Sequence, residues 1–311
     1  MGETTGIVWT NSTINAWHGC TKVSDGCKHC YAEVSTPVRV KRAAGLEVWG
    51  AKAARSETKG WEAQIRSMAH DVIYSAAGGP HRVFGQSLSD TFEDRRDLDP
   101  LRARFFAAMT RWTARSLTFQ LLTKRPENVL RMVPPAWLTS WPAHVWIGAT
   151  VESQAMAEER IPHLLRVPAP VRFLSVEPQI EAVLLDDGER SWLTCHGEPA
   201  EECCGSMSAH GRHFHGIDWV IQGGESGSKA RPFDLRWARS MRDQCRAAGV
   251  AYFLKQLGAA PVEHPRVGGM IGKIAATVYD AIRLHDSHGG DESEWPEDLR
   301  GCRAFPEAPH G

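Results

Sequence analysis

Six short apolar stretches recur along the chain, each running into a polar or glycine-rich turn. They are RVFGQSLSD (82–90), LTFQLLTKRPEN (117–128), HVWIGATVES (144–153), VRFLSVEP (171–178), DWVIQGGESG (218–227) and VAYFLKQLG (250–258). The opening GIVWTNSTINAWHGC (6–20) supplies either a first strand or an irregular lead-in. Segments with apolar residues at helical spacing lie between them, at 99–114, 153–167 and 234–249. Asp99 and Pro100 suit a helix start, and Gly249 suits a helix stop. Strands that alternate with helices imply a parallel sheet. Nearly continuous apolar strands imply a sheet covered on both faces. The pattern predicts an α/β fold, a partial or complete (β/α) barrel of mainly parallel strands, over residues 1–258. Two segments break the alternation. Residues 185–216 form a Gly-, Cys- and His-rich insertion. Residues 259–311, rich in Pro, Gly and acids, read as a peripheral C-terminal extension with one short helix in 272–286.

In parallel barrels the chemistry sits at the C-terminal ends of the strands. Those ends here carry Ser87, Ser89 and Asp90, then Lys124 and Arg125, then Glu152, Glu177, Glu225, Lys255 and Gln256. Any one of them could simply end a strand. So many at matching positions point to a site.

The sharpest chemical feature is WHGCTKVSDGCKHCYAE (17–33), which holds Cys20, Cys27 and Cys30, three of the chain's eight cysteines. Three thiols do not close a disulfide framework, and a structural zinc site needs four ligands. Two readings fit the spacing. In one, His18 or His29 completes a zinc site. In the other, three thiolates hold three irons of a [4Fe-4S] cluster and leave the fourth iron open. No run of about 18 apolar residues suggests a membrane span, and the N-terminus lacks the pattern of a secretory signal. Cytosolic thiols stay reduced, so a cytoplasmic protein with clustered cysteines is expected. The formal net charge of −1 gives no global sign of nucleic-acid binding.

The cysteine stretch resembles the cluster loop of the radical S-adenosylmethionine superfamily, which most often spaces its ligands C-x3-C-x2-C where this chain has C-x6-C-x2-C. A wider set of blocks is similar to the phage- and prophage-associated three-Cys-motif proteins: the cysteine stretch, SLSD, LLTKRPEN, ERIPHLL, FLSVEP, VIQGGESG and RDQCRAAGVAYFLKQLG, across about residues 9–258. The resemblance implies a radical enzyme that cleaves S-adenosylmethionine and abstracts hydrogen from its substrate. Cys20, Cys27 and Cys30 would be the cluster ligands. Tyr31 would flank the cofactor. Ser87, Ser89 and Asp90 would meet the methionine amino group, and Lys124 or Arg125 its carboxylate. Glu152 would accept from the ribose. Gly223, Gly224 and Glu225 would line the adenine or substrate side, and Glu177 and Lys255 would act on substrate. The superfamily's own GGE tripeptide lies on an early strand, whereas here it comes late. An electron donor such as flavodoxin or ferredoxin is implied, together with a family-specific partner protein. Phage association suggests a nucleobase in phage or host nucleic acid as substrate. The competing reading is a non-catalytic, zinc-bearing module that binds nucleic acid or protein. Cys195, His196, Cys203, Cys204, His210, His213 and His215 in the insertion add a candidate second zinc site.

Overall fold

The apolar stretches form strands that add to the sheet in sequence order. The computed structural model describes residues 5–73, 81–111, 117–193, 216–271 and 274–307. The chain begins with β1 (Ser12–Ile14), β2 (Trp17–His18), α1 (Thr36–Ala43), β3 (Ser56–Glu57) and α2 (Trp61–Ile73). It continues with β4 (His81–Gly85), α3 (Asp99–Arg111), β5 (Leu117–Thr123), α4 (Val129–Met132) and α5 (Pro135–Thr139). Next come β6 (Val145–Thr150), α6 (Gln154–Leu165), β7 (Arg172–Val176), β8 (Trp219–Gly223) and β9 (Phe233–Asp234). It closes with α7 (Leu235–Ala248), β10 (Ala251–Gln256), β11 (Pro261–Ile271) and β12 (Ile274–Ala281).

Seven strands form one sheet in the order β1-β4-β5-β6-β7-β8-β10. Every pairing in it is parallel. The order never reverses, so there is no switch point of the doubly wound kind. β1 and β10 each have one strand neighbour, so the sheet is a half-barrel, the partial form of the expected fold.

The alternation of side chains explains the apolar strands. One face, with Phe119, Ile147, Leu174 and Leu254, packs against helices through Phe105, Ile161 and Met241. The other face carries Phe84, Trp146, Phe173, Trp219 and Phe253 and encloses a second apolar cluster. Trp9 plugs it, with its ring 4.7 Å from Phe84 and 6.1 Å from Trp219. The aromatic rings leave no room beside Gly148, where a Cβ would overlap Phe173. Gly148→Ala is therefore expected to overpack the interior by about 1–3 kcal/mol. At about 2–4 °C per kcal/mol, calorimetry should show a melting temperature lower by roughly 5 °C.

Local signals place the helices. The Ser153 hydroxyl accepts from Met156 N at the start of α6. Asp234 caps α7, and Gly249 ends it with a φ of 67°.

The helix expected over 272–286 is not formed. β12 occupies Ile274–Ala281 and pairs antiparallel with β11, which in turn pairs with β9. The run IAATVYDA has β-branched Ile274, Thr277 and Val278, which favour an extended backbone over a helix. The end of the chain then returns to the barrel. Leu254 N donates to Cys302 O at 2.7 Å and Ala304 N to Tyr252 O at 2.9 Å, which covers the outer edge of β10. Cys195, His196, Cys203, Cys204, His210, His213 and His215 lie outside the described residues. Among the described residues no helix is long and apolar enough to cross a membrane.

Candidate functional site

The cysteine loop leaves β2 at Gly19, whose φ of 109° suits glycine and whose missing side chain admits the Val48 carbonyl. Gly19 N donates to Leu88 O at 3.1 Å, which sets Cys20 beside the segment that follows β4. Two 3-10 turns follow: Asp25–Cys27 ends on the second thiol, and Cys30 stands as the cap before Tyr31–Val34. Cys20, Cys27, Cys30 and Tyr31 all line one cavity of about 740 Å³ at the C-terminal mouth of the half-barrel. That volume lies within the range of about 300–1,000 Å³ usual for small-molecule sites.

The strand ends supply the rest of the wall. Ser87, Ser89 and Asp90 come from beyond β4, Lys124 and Arg125 from just beyond β5, and Glu177 from just beyond β7. Gly224 and Glu225 come from β8, with Lys255 and Gln256 from β10. Lys255 Nζ lies 2.6 Å from Glu177 Oε1, an ion pair directly on the cavity. Gly224 is needed where it stands, because a Cβ there would overlap the Leu257 carbonyl. Gly223 is not part of the wall; its carbonyl accepts from Gln179 N at 3.0 Å.

Three carboxylates at the strand ends hold the cysteine loop or its clamp. Glu152 is fully buried, and its Oε2 lies 2.8 Å from Arg160 Nη1. Its Oε1 accepts from Gly26 N at 3.3 Å, with the loop pressed so close that only glycine fits. It is not part of the cavity wall. Burial alone would raise its pKa, but Lys124 and Arg160 outweigh that and hold it below its ordinary value.

Glu225 accepts from Arg231 N and Nε, both at 2.9 Å, and from Nη2 at 2.7 Å. His29 Nδ1 lies 3.2 Å from the same carboxylate, and Arg231 Nη1 donates to Asp25 O at 3.1 Å. Glu225 thus latches the loop on both sides of Cys27. Burial opposes its ionisation, yet Arg231 and His29 hold its pKa below the ordinary value.

Asp90 is saturated. Oδ1 accepts from Phe92 N at 2.9 Å and Thr123 Oγ1 at 2.7 Å. Oδ2 accepts from Lys124 N at 3.1 Å and Arg125 Nη1 at 2.8 Å. It has no lone pair left for an amino group. Arg125 is likewise committed, since Nη2 donates to Thr21 O at 2.7 Å and Nη1 reaches Cys20 Sγ at 3.7 Å. Of the two cations expected to meet a carboxylate, Lys124 remains, with no direct hydrogen bond from its Nζ among the described residues. Ser87 is also engaged, accepting from Asn15 at its hydroxyl and from Tyr31 Oη at its carbonyl.

Burial pushes the Cys20 thiol up to about 12, with Asp90 adding to the rise and Arg125 opposing it. Burial raises Cys30 too, against the hydrogen bonds of the Glu33 and Ala32 amides. Both are neutral thiols unless a metal displaces their protons. None of the five described cysteines is in a disulfide. Among the described residues no three Cys, His, Asp or Glu side chains converge on one point as a single ion would need. Of the two histidines expected as a fourth zinc ligand, His29 lies on the cavity wall with Nδ1 on Glu225, and His18 is buried outside that wall. A donor set of three thiols on one wall fits a cluster that leaves one iron open.

Several wall residues have no counterpart among the expected ones. Gln86, fully buried with a φ of 65°, accepts from Ala16 N at 2.8 Å through Oε1. Asp286, His288 and Gly290 reach the cavity from the C-terminal extension. Asp286 folds that turn by accepting from the backbone of His288, Gly290 and Asp291. Nothing in the linear pattern links such a turn to the strand ends.

Fold and site together define a parallel (β/α) half-barrel with a three-thiol loop across its mouth. The chain belongs to the DUF5131 family, described as a protein of unknown function, which residues 4–288 match. No curated protein matches it. Among solved structures it is similar to a spore photoproduct lyase complexed with a dinucleoside spore photoproduct. The TM-score is 0.40 at 13% identity, over 90% of this chain and 71% of that one.

Proposed function

We propose that this protein is a radical S-adenosylmethionine enzyme, with a [4Fe-4S] cluster on Cys20, Cys27 and Cys30. The observation that carries the reading is the placement of three unpaired thiols on one loop at the C-terminal mouth of a parallel half-barrel, opening on a cavity of about 740 Å³. When bound, such a cluster supplies the electron that cleaves S-adenosylmethionine to methionine and a 5′-deoxyadenosyl radical. The chain's own residues position and shield. Glu152, Glu225 and Arg125 fix the loop from three strand ends. Lys124 is the cation left to pair with the methionine carboxylate. Glu177 and Lys255 face the cavity as an ion pair that can hold or pass a proton at substrate. The apolar plug around Trp9 and Phe84 closes the floor, which suits chemistry that must exclude water. The substrate class we propose is a nucleobase in nucleic acid.

Anaerobically reconstituted protein should show broad visible absorption that bleaches with dithionite. A colourless protein that retains zinc would overturn the reading. Loss of the Lys124 cation should cost a charge-assisted hydrogen bond of about 1.5–3 kcal/mol, or roughly 10–100-fold in affinity. Titration calorimetry of reconstituted Lys124→Met with S-adenosylmethionine checks this; unchanged affinity removes Lys124 from the cofactor site.

A further inference from the structure

We infer that Arg125, clamped by Asp90, is a positioning residue that hydrogen-bonds the Cys20 sulfur and raises the reduction potential of the cluster held there. This rests on the iron–sulfur reading above. The geometry leaves Arg125 little freedom. Its Nη1 is 2.8 Å from Asp90 Oδ2 and 3.7 Å from Cys20 Sγ, and its Nη2 is 2.7 Å from Thr21 O. Three acceptors therefore meet one planar fork, a task for arginine and not for lysine.

Asp90 cannot yield, because Phe92 N, Thr123 Oγ1 and Lys124 N hold its other lone pairs. Thr123 is bound in turn, as its hydroxyl accepts from Arg125 N at 2.9 Å. The guanidinium and its carboxylate are both largely buried, so water does not screen the contact with sulfur. Among the described residues Cys27 Sγ meets only the Ser24 hydroxyl, at 3.9 Å, and Cys30 is met by the backbone amides of Ala32 and Glu33, so Cys20 is the thiol that a guanidinium reaches.

An N–H donor on a ligand sulfur draws off electron density and favours the reduced, more negative cluster. Asp90 supplies the counter-charge, so the effect comes from a directed donor rather than from a bare buried cation. The same contact that fixes the loop through Thr21 therefore tunes what the loop holds.

The test is an EPR-monitored redox titration of anaerobically reconstituted protein, with iron per chain measured in parallel. Arg125→Lys keeps the charge but loses the fork. The pair Asp90→Asn with Arg125→Gln removes both charges without leaving one buried alone. Arg231→Lys is the control, since Arg231 holds the loop through Asp25 O and not through a sulfur. The expected result is a lower midpoint potential in both Arg125 variants at unchanged iron content, and no shift in the control. An unmoved potential in the Arg125 variants, or an equal shift in the control, overturns the inference alone. A wild-type protein that takes up no iron overturns it together with the reading on which it rests.

Discussion

Glu152→Ala is expected to destabilise the protein by about 3–5 kcal/mol, because it leaves Arg160 buried and unpaired. Arg160 is 2% exposed, and its Nη1 also donates to the Thr150 carbonyl, at 2.8 Å. At about 2–4 °C per kcal/mol, the melting temperature should fall on the order of 10 °C. Glu152→Gln should cost less, since its amide oxygen can still accept from Arg160, although its amide nitrogen then faces Gly26 N. The two variants also separate in their pH dependence. The folded carboxyl has its pKa below the unfolded one. Its stabilisation is thus complete at neutral pH, above the unfolded value of about 4.3. It is lost as pH falls through the lower folded value. Urea unfolding from about pH 7 to about pH 3 should lose less stability in the glutamine variant than in the wild type. Equal acid slopes would remove Glu152 from the anchor role.

Alanine at Cys20, Cys27 or Cys30 is expected to take iron from about four per chain to near none. A cluster with an open iron has only three protein ligands, so none is redundant. Cys245→Ala and Cys302→Ala provide the contrast. Cys245 is fully buried on α7 within the helix-side core, and Cys302 packs against that core. Neither lines the cavity. Both variants should keep the full iron complement, with Cys245→Ala paying only in stability. Iron and sulfide assays after reconstitution decide the matter. Loss of iron on replacing Cys245 or Cys302 would move the ligand set elsewhere.

The strands were legible because burial on both faces writes itself as an unbroken apolar run, as in WVIQG of β8 or VWIGAT of β6. The cysteine loop was legible because its three thiols sit close in sequence. What each carboxylate does was not. A strand-end acid reads the same whether it faces a ligand or a buried arginine. The partner of Glu152 lies on α6, and that of Asp90 lies on the next strand over. Those contacts exist only once β4, β5 and β6 are side by side. The β11–β12 hairpin was misread for a different reason. IAATVYDAI has apolar residues at a spacing that suits a helix as well as a strand, and pairing with β11 settled it. The turn at Asp286–Gly290 enters the site through Leu257 N and Trp295 Nε1, which both donate to Gly289 O. Such a contact across the fold leaves no periodic trace.

We propose that the three-thiol mouth performs reductive cleavage of S-adenosylmethionine. The most direct test is to incubate anaerobically reconstituted protein with S-adenosylmethionine and dithionite and to assay 5′-deoxyadenosine by chromatography and mass spectrometry. The account predicts 5′-deoxyadenosine from the wild type and none from Cys27→Ala. A fully iron-loaded wild type that forms no 5′-deoxyadenosine, or a Cys27→Ala variant that forms as much as the wild type, would contradict it.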